Sequence, residues 1–200
     1  MRQGEAFGLA AGDVDFLRKV VHVRRQVWLV GTTLCFAPVK NDKAHDVPLA
    51  ESLAPVLAEH IRLYPPMAVT LPWSVPDGKP VTFSLLLSRP GGEAMHRTRF
   101  NESHWWAAQE KAGIVPAREP GEKRAPARDQ GMRRLRHTAA SAWLAAGVDI
   151  VSVAAWLGDT VKVVWERYAH LMPDSDDRGR KAMDVFFKPS ALNVPAQSVM

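Results

Sequence analysis

Two features of the C-terminal half could do chemistry on an anionic partner: a dense group of arginines and, further along, a tyrosine. Seven basic and three acidic residues lie between Arg118 and Arg136. Guanidinium groups bind phosphate oxygens as a two-pronged fork and stabilise the charge of a reacting phosphate. The hydroxyl of Tyr168 can attack phosphorus. These residue types indicate phosphodiester chemistry, and no cluster of Asp and Glu suggests a two-metal nuclease.

The composition agrees with an anionic partner and excludes several classes of protein. Lys and Arg number 26 against 21 Asp and Glu, a formal net charge of +5, with a pI near 9.6. The 46% hydrophobic share is that of a globular chain and excludes disorder of the whole. A single cysteine, Cys35, excludes an internal disulfide framework and a Cys-based zinc site. No run is long and apolar enough for a membrane span, so we expect a cytoplasmic protein.

A motif surrounds the arginines and the tyrosine. From position 131 the chain reads GMRRLRHTAASAWLAAGVDIVSVAAWLGDTVKVVWERYAH. This resembles the C-terminal box of the tyrosine recombinase (phage integrase) family: H-x-L-R-H-T, a helix, G-[VI]-x-[IV]-x-x-[VI], L-G-[HW], and nine residues later the nucleophilic tyrosine. Position 159 precedes Tyr168 by nine residues. The matching positions are Leu135, Arg136, His137, Thr138, Gly147, Leu157, Gly158 and Tyr168.

Two further segments resemble the same family in the right order. MRQGEAFGLAAGDVDF is similar to its first box, with Arg2 at the first catalytic arginine. KNDKAHDVPL is similar to its hairpin K-x-x-K-x-R-x-[VI]-P-L, with Lys40 at the catalytic lysine. The resemblance implies site-specific DNA recombination or integration by a mobile genetic element. It also implies an α+β fold, mainly α-helical with a small antiparallel sheet, the catalytic-domain fold of DNA breaking-rejoining enzymes.

The resemblance gives each matched residue a role. Tyr168 attacks the scissile phosphate and forms a covalent 3′-phosphotyrosyl intermediate. Arg2 and Arg136 hold the non-bridging oxygens, and Lys40 protonates the departing 5′-hydroxyl. Because the phosphotyrosyl bond conserves the energy of the ester, strand exchange requires no ATP, no metal and no other cofactor.

Two positions depart from the family pattern. Arg133 stands where the family has His, and it cannot titrate near neutral pH although it can bind phosphate. Asp159 stands where the family has His or Trp, and its carboxylate repels phosphate unless it is protonated or turned onto a neighbouring arginine. Both remain candidate catalytic positions. The candidate DNA-binding residues are Arg134, His137, Arg128 and Arg124.

The resemblance also sets expectations for domains and partners. We expect a catalytic domain over 1–188 that lacks its first helix and a core-binding domain, and a disordered tail over 189–200. Arg2, next to the terminus, is expected to be poorly held. The partners are double-stranded DNA and further copies of the chain, with no membrane. The apolar face of a last helix is expected to dock onto a neighbouring copy; its residues are Ala182, Val185, Phe186 and Phe187.

Periodicity and turn residues predict the elements that position these groups. A short helix over the first box precedes a strand over 19–30, a second strand, and a hairpin tip from Lys40 to His45. A hairpin is expected within 66–92 and an exposed loop over 116–131. The tryptophans at 105, 106, 143, 156 and 165 are expected in the core. The predicted helices cover 53–64, 102–112, Leu135–Ala146, Ile150–Leu157, Val161–His170 and Arg178–Phe187.

Three other interpretations remain open. The segment TAASAWLAAGVDIVSVAAWLG also resembles a helix-turn-helix, which would make the chain a DNA-binding module without catalysis. Arg133 and Asp159 are compatible with a weakened or inactive relic of a recombinase. A type IB topoisomerase shares the chemistry, but the LRHT and LG motifs are more similar to recombinases.

Overall fold

The computed structural model describes residues 1–116, 121, 131–171 and 175–186, which form a β-rich N-terminal part and a helical C-terminal part. The strands are β1 (Val14–Asp15), β2 (Val20–Val23), β3 (Arg25–Val30), β4 (Thr33–Pro38), β5 (His45–Pro48), β6 (Met67–Pro72), β7 (Pro80–Leu85), β8 (Ser88–Arg89) and β9 (Glu93–Ala94). The helices are α1 (Gln3–Phe7), α2 (Leu53–Leu63), α3 (Arg97–Phe100), α4 (Trp106–Lys111), α5 (Arg133–Ala145), α6 (Ile150–Leu157), α7 (Val161–Tyr168) and α8 (Ser175–Phe186).

All strand pairs are antiparallel. β1, β2 and β5 form a three-stranded sheet, while β3 pairs with β4, β6 with β7 and β8 with β9. The predicted strand over 19–30 is divided at Arg24 into β2 and β3. At this break the Arg25 side chain is buried against Asp13, with its guanidinium 4.0 Å from the centre of the Phe83 ring. A buried ion pair therefore lies where the sequence pattern indicates one uninterrupted strand.

The segment that carries Lys40 has a different topology from the one predicted. β4 pairs with β3 and β5 pairs with β2, so the two strands on either side of this segment do not pair with each other. The prediction of a hairpin tip from Lys40 to His45 is therefore wrong. Instead, Lys40 begins a single 3₁₀ turn, Lys40–Asp42, which lies in the connection between β4 and β5.

Helix α1 lies against β3 at backbone contact distance. A Cβ added to Gly4 would stand 2.8 Å from the carbonyl oxygen of Val27, so a side chain at this position would push the helix off the strand. Beneath this contact lies the N-terminal core, which joins α1 to the β3–β4 and β6–β7 hairpins. Its buried residues are Phe7, Ala10, Val27, Phe36, Val69, Leu85 and Ala94. The core thus fixes the helix that follows Arg2.

The C-terminal helices surround a separate core. α5, α6 and α7 are close to their predicted bounds, although α7 ends at Tyr168 and continues as a 3₁₀ turn, Ala169–Leu171. The buried residues are Ala140, Leu144, Val153, Ala154, Leu157, Val164 and Tyr168. Tyr168 therefore belongs to the packing of this region. In the described part of the chain, no helix has both the length and the apolar character needed to cross a membrane.

Three predictions for the middle and C-terminal regions need comment. The helix expected over 102–112 begins earlier, as α3, and reaches α4 through one π-helical turn, Asn101–Trp105. Trp106 is buried, but Trp165 is 56% exposed, because it lies beside the face of α7 that carries the buried Val164 and Tyr168, and its prediction as a core residue is wrong. Most of the loop predicted over 116–131 lies outside the described residues.

Candidate functional site

Arg2 is held from two sides, although it is next to the terminus. Its backbone N–H and its Nη1 donate to the buried carboxylate of Glu5, at 2.5 and 2.7 Å. Its Nη2 donates to Asp159 Oδ1 at 2.8 Å. The expectation that Arg2 is poorly held is therefore wrong, because two carboxylates fix its guanidinium. The contact with Asp159 also joins the N-terminal part of the chain to the helical part.

Arg136 reaches the same carboxylate from α5. Its residue is 8% exposed, and its Nη2 donates to Asp159 Oδ2. Its Nη1 is buried and has no hydrogen-bond partner among the described residues. Burial, and after it the positive charge of Arg2, lowers the pKa of the Arg136 guanidinium, while Asp159 opposes the shift. The buried Nη1 is a donor without an acceptor, which is a costly arrangement in a protein interior.

The end of α6 determines where Asp159 lies. Gly158 caps this helix with φ +60°, in the left-handed region that favours glycine. A Cβ on Gly158 would lie 2.5 Å from His45 Nδ1 on β5. The N–H of Asp159 donates to the carbonyl of Ala154 at 3.0 Å. The helix cap and the contact with His45 therefore place the Asp159 carboxylate between the two arginines.

Tyr168 is the last residue of α7 and its side chain is mostly buried, 6% exposed. Its hydroxyl lies 2.5 Å from Nδ1 of His137. Burial raises the pKa of Tyr168, against the lowering effect of Arg167 and Arg136. Burial also lowers the pKa of His137, helped by the charges of Arg167, Arg133 and Arg136. At neutral pH the imidazole is therefore neutral, and it shares one hydrogen bond with the phenol, with the tautomer of His137 deciding which of the two donates.

Arg2, Arg136 and Asp159 line a cavity of about 690 Å³, which we name the arginine cavity. Among the described residues that line it, six side chains are basic and one is acidic. The acidic one is Asp159, and the basic ones are Arg2, Lys40, Arg97, Arg133, Arg136 and Arg167. The β-rich N-terminal part and the helical C-terminal part both contribute basic residues. Such a concentration of positive charge can bind a phosphate group or another anion.

A second depression, the α5 groove, lies beside it. It is open, has a volume of about 500 Å³, and is lined by Arg134, His137, Thr138, Ser141, Ala142 and Ala145. All six residues belong to α5 or its C-terminal end, and successive residues of a helix point about 100° apart. Arg136 and His137 therefore face two neighbouring sides of one helix. His137 lines this groove and is hydrogen-bonded to Tyr168, whose buried side chain packs in the core of the C-terminal helices.

The structure places the predicted site residues in two groups. Arg2, Lys40, Arg133, Arg136 and Asp159 line the arginine cavity. Tyr168 and His137 form a hydrogen-bonded pair, and His137 lines the α5 groove together with Arg134. The remaining two DNA-binding candidates, Arg124 and Arg128, lie outside the described residues.

Sequence reasoning missed two basic residues of the arginine cavity, Arg97 and Arg167. Arg167 directly precedes Tyr168, so its position next to the candidate nucleophile could have identified it. Arg97 had no such signal. It reaches the cavity because α3 and the π-helical turn lie beside α1, where Gln3 Nε2 donates to Asn101 Oδ1 at 2.8 Å.

Known proteins share this sequence pattern and fold. The sequence model of the phage integrase family matches residues 1–174. Among solved structures, the Tn1549 transposon integrase in complex with a circular intermediate DNA is 18% identical with a TM-score of 0.66, and the match covers 92% of this chain and 54% of that one. The XerA recombinase is 23% identical with a TM-score of 0.53, covering 94% and 53%. The chain thus spans about half the length of these structures.

The helices and small antiparallel sheets form the fold of tyrosine recombinase catalytic domains, as the sequence predicts. The chain belongs to the phage integrase family. No curated protein matches its sequence.

Proposed function

We propose that residues 1–188 form the catalytic domain of a site-specific DNA recombinase that acts through a covalent phosphotyrosyl intermediate. The observation that carries this proposal is the convergence of Arg2 and Arg136 on one point, on the side of α5 next to the side that holds Tyr168. Membership of the phage integrase family supports it, as does the structural similarity to a transposon integrase in complex with DNA.

In this proposal the arginine cavity binds the scissile phosphate. The guanidinium groups of Arg2 and Arg136 contact its non-bridging oxygens and stabilise the additional charge of the transition state. Arg133, which also lines the cavity, contributes positive charge. It cannot transfer a proton at neutral pH, so the proton transfers fall to other residues.

Tyr168 supplies the nucleophile and His137 its base. The phenol oxygen attacks phosphorus while its proton passes to His137 Nδ1, which lies 2.5 Å away and is neutral at physiological pH. The bond from phosphorus to the 5′ oxygen breaks, and the ammonium of Lys40 donates a proton to that oxygen. The products are a 3′-phosphotyrosyl bond and a free 5′-hydroxyl. Reversal with a different 5′-hydroxyl completes strand exchange.

Self-assembly is part of the proposal. Met183 and Val185 of α8 are 53% and 64% exposed, which leaves an apolar surface available to another copy of the chain. We expect deletion of 175–200 to reduce the number of copies assembled on one DNA without abolishing binding of the first copy. Analytical ultracentrifugation with labelled DNA measures this, and an unchanged complex size would count against docking through α8.

DNA binding without cleavage is the second candidate function. The contact of Asp159 with both arginines favours it, because this carboxylate lies where the phosphate should bind. A helix-turn-helix reading is less well supported. Apart from Ser152, the eight residues of α6 are apolar, so as a recognition helix it could offer base edges little hydrogen bonding.

One experiment separates the two functions. Nicked duplexes with randomised core sequences trap a covalent intermediate, because the short strand next to the nick diffuses away after cleavage. We expect a protein–DNA adduct that survives denaturation with the wild-type chain and is absent with Tyr168→Phe. Salt-sensitive DNA binding without any adduct would support the non-catalytic function.

A further inference from the structure

The carboxylate of Asp159 is bound as a substrate phosphate would be. Oδ1 accepts from Nη2 of Arg2 at 2.8 Å, and Oδ2 accepts from Nη2 of Arg136. One oxygen for each guanidinium is also how two arginines share the non-bridging oxygens of a phosphate. The other Nη of Arg2 is occupied by Glu5. A phosphate that engages both arginines must therefore compete with Asp159.

The surroundings show that an anion larger than this carboxylate fits. Within the part of the chain that the structure describes, six basic side chains and one acidic side chain line the arginine cavity. Nη1 of Arg136 is buried and lacks an acceptor among the described residues, although Nη2 of the same side chain is bonded to Asp159. A carboxylate is planar with two oxygens, whereas a phosphodiester is tetrahedral and adds two ester oxygens to its two charged ones. Asp159 thus satisfies this site only in part.

The position of the backbone brings the Asp159 carboxylate to the two arginines. Its backbone is fixed by the hydrogen bond to Ala154 and by the left-handed cap at Gly158, which packs on His45. Its side chain is short and 21% exposed. The backbone therefore holds the carboxylate at the site, and an entering phosphate has to displace it.

We propose that Asp159 is an internal substitute for the scissile phosphate, which keeps Arg2 and Arg136 in register and lowers the affinity of the site for the phosphodiester. This inference rests on the proposed function for the identity of the displaced anion. Entry of DNA requires the phosphate to replace both contacts of Asp159. The residue acts through the two arginines, so it is a positioning residue that sets affinity and not a group that reacts.

Inorganic phosphate tests this without any cleavage. In the full 200-residue chain, Asp159→Asn keeps the shape of the side chain and removes its charge. We expect its Kd for phosphate, measured by calorimetry, to be about tenfold or more lower than that of the wild type, since charge-assisted hydrogen bonds to two guanidinium groups become available. Asp159→His, a second variant, should show a gain in the same direction. Phosphate should also raise the Tm of either variant more than that of the wild type.

Glu166→Gln is the matched control. It removes one negative charge from α7, where Glu166 is exposed and pairs with Lys162, away from the two arginines. An equal gain with Glu166→Gln would overturn the inference, because it would reveal a general effect of net charge. Unchanged or weaker phosphate binding by both Asp159 variants would also overturn it. Adding Arg136→Ala to Asp159→Asn should abolish the gain, and a gain that persists would place the phosphate elsewhere.

A DNA arm separates this inference from the proposed function. With nicked duplexes, Asp159→Asn should form the covalent adduct faster than the wild type. If phosphate binding improves but no variant forms an adduct, the inference stands and the catalytic function fails. If the wild type forms an adduct and Asp159→Asn forms less, with no gain in phosphate binding, the function stands and Asp159 is no substitute for the phosphate.

Discussion

The two sides of α5 differ in charge: one belongs to a cluster of charged side chains and the other carries a neutral pair. On the arginine-cavity side, Arg136 belongs to a set of charges joined by Asp159 and Arg2. On the other side, Tyr168 and His137 form a neutral pair, and the tyrosine ring is buried with Leu144 and Val164. An anion site requires charges that are oriented in advance, whereas an attacking phenol must keep its proton until the phosphate arrives. Neighbouring faces of one helix provide these two environments.

The largest effect should come from the charged side. Replacing Arg136 with Ala removes a guanidinium from the transition state, and we expect adduct formation to fall about 10²–10³-fold. Arg136→Lys, the matched variant, keeps the charge but loses the fork, so its rate should lie between the two. Single-turnover assays with nicked DNA measure all three rates. A rate for Arg136→Ala within a few-fold of the wild type would show that the arginine cavity is not where cleavage occurs.

The neutral pair of Tyr168 and His137 should determine how the rate of adduct formation depends on pH. The pKa of His137 lies below its ordinary value of 6.5, mainly because of burial, so the proton acceptor for Tyr168 is lost only at acidic pH. We expect the rate of adduct formation to fall as the pH drops below 6.5. His137→Gln keeps an acceptor atom but cannot titrate, so it should react more slowly with a flatter acid limb. An acid limb that is unchanged in His137→Gln would exclude His137 as the base.

The same shift predicts a change in stability. Because burial lowers the pKa of His137 and of His45, the unfolded chain binds more protons than the folded chain at acidic pH. The free energy of unfolding should therefore decrease as the pH falls below 6.5. In His137→Gln the decrease should be smaller, with the part due to His45 retained. Urea titrations at a series of pH values measure this, and an equal decrease in both proteins would contradict the assignment.

The smallest effect concerns Gly158, which caps α6 directly before Asp159. Gly158→Ala introduces a side chain at φ +60°, which costs about 1–2 kcal/mol of folding free energy, and its Cβ would also meet the ring of His45. His45→Ala in the same chain should recover only the part due to this contact. Urea unfolding of the two variants measures both parts. A Gly158→Ala chain as stable as the wild type would show that the α6 cap does not fix Asp159.

The sequence predicts the helical C-terminal part of the chain much better than the β-rich N-terminal part. α5, α6 and α7 follow from apolar spacing and from Gly147 and Gly158, and the nine-residue interval identifies Tyr168 within the predicted helix Val161–His170. The local pattern around Lys40 predicts a hairpin, because the pairing of β5 with β2, more than twenty residues earlier in the chain, leaves no local signal. Arg97 was missed for a similar reason, since its approach to Arg2 depends on how α3 lies beside α1.

The contact of Asp159 with both arginines can be predicted from the sequence only in part. Chemistry alone indicates that a carboxylate at this position must be protonated or turned onto an arginine. Only the structure shows that it is turned, and that it meets two guanidinium groups at once. The burial of Glu5, which holds Arg2 in place, could not be inferred from a motif in which this residue is simply acidic.

The proposed function requires that Tyr168 becomes covalently bound to DNA. Tandem mass spectrometry of the trapped adduct, after nuclease and protease digestion, locates the nucleotide on a single residue. We predict a 3′-linked nucleotide on Tyr168, no adduct with Tyr168→Phe, and an unchanged adduct with Tyr64→Phe, which alters the chain's only other tyrosine. A nucleotide on any other residue, or an adduct that persists in Tyr168→Phe, would contradict the account.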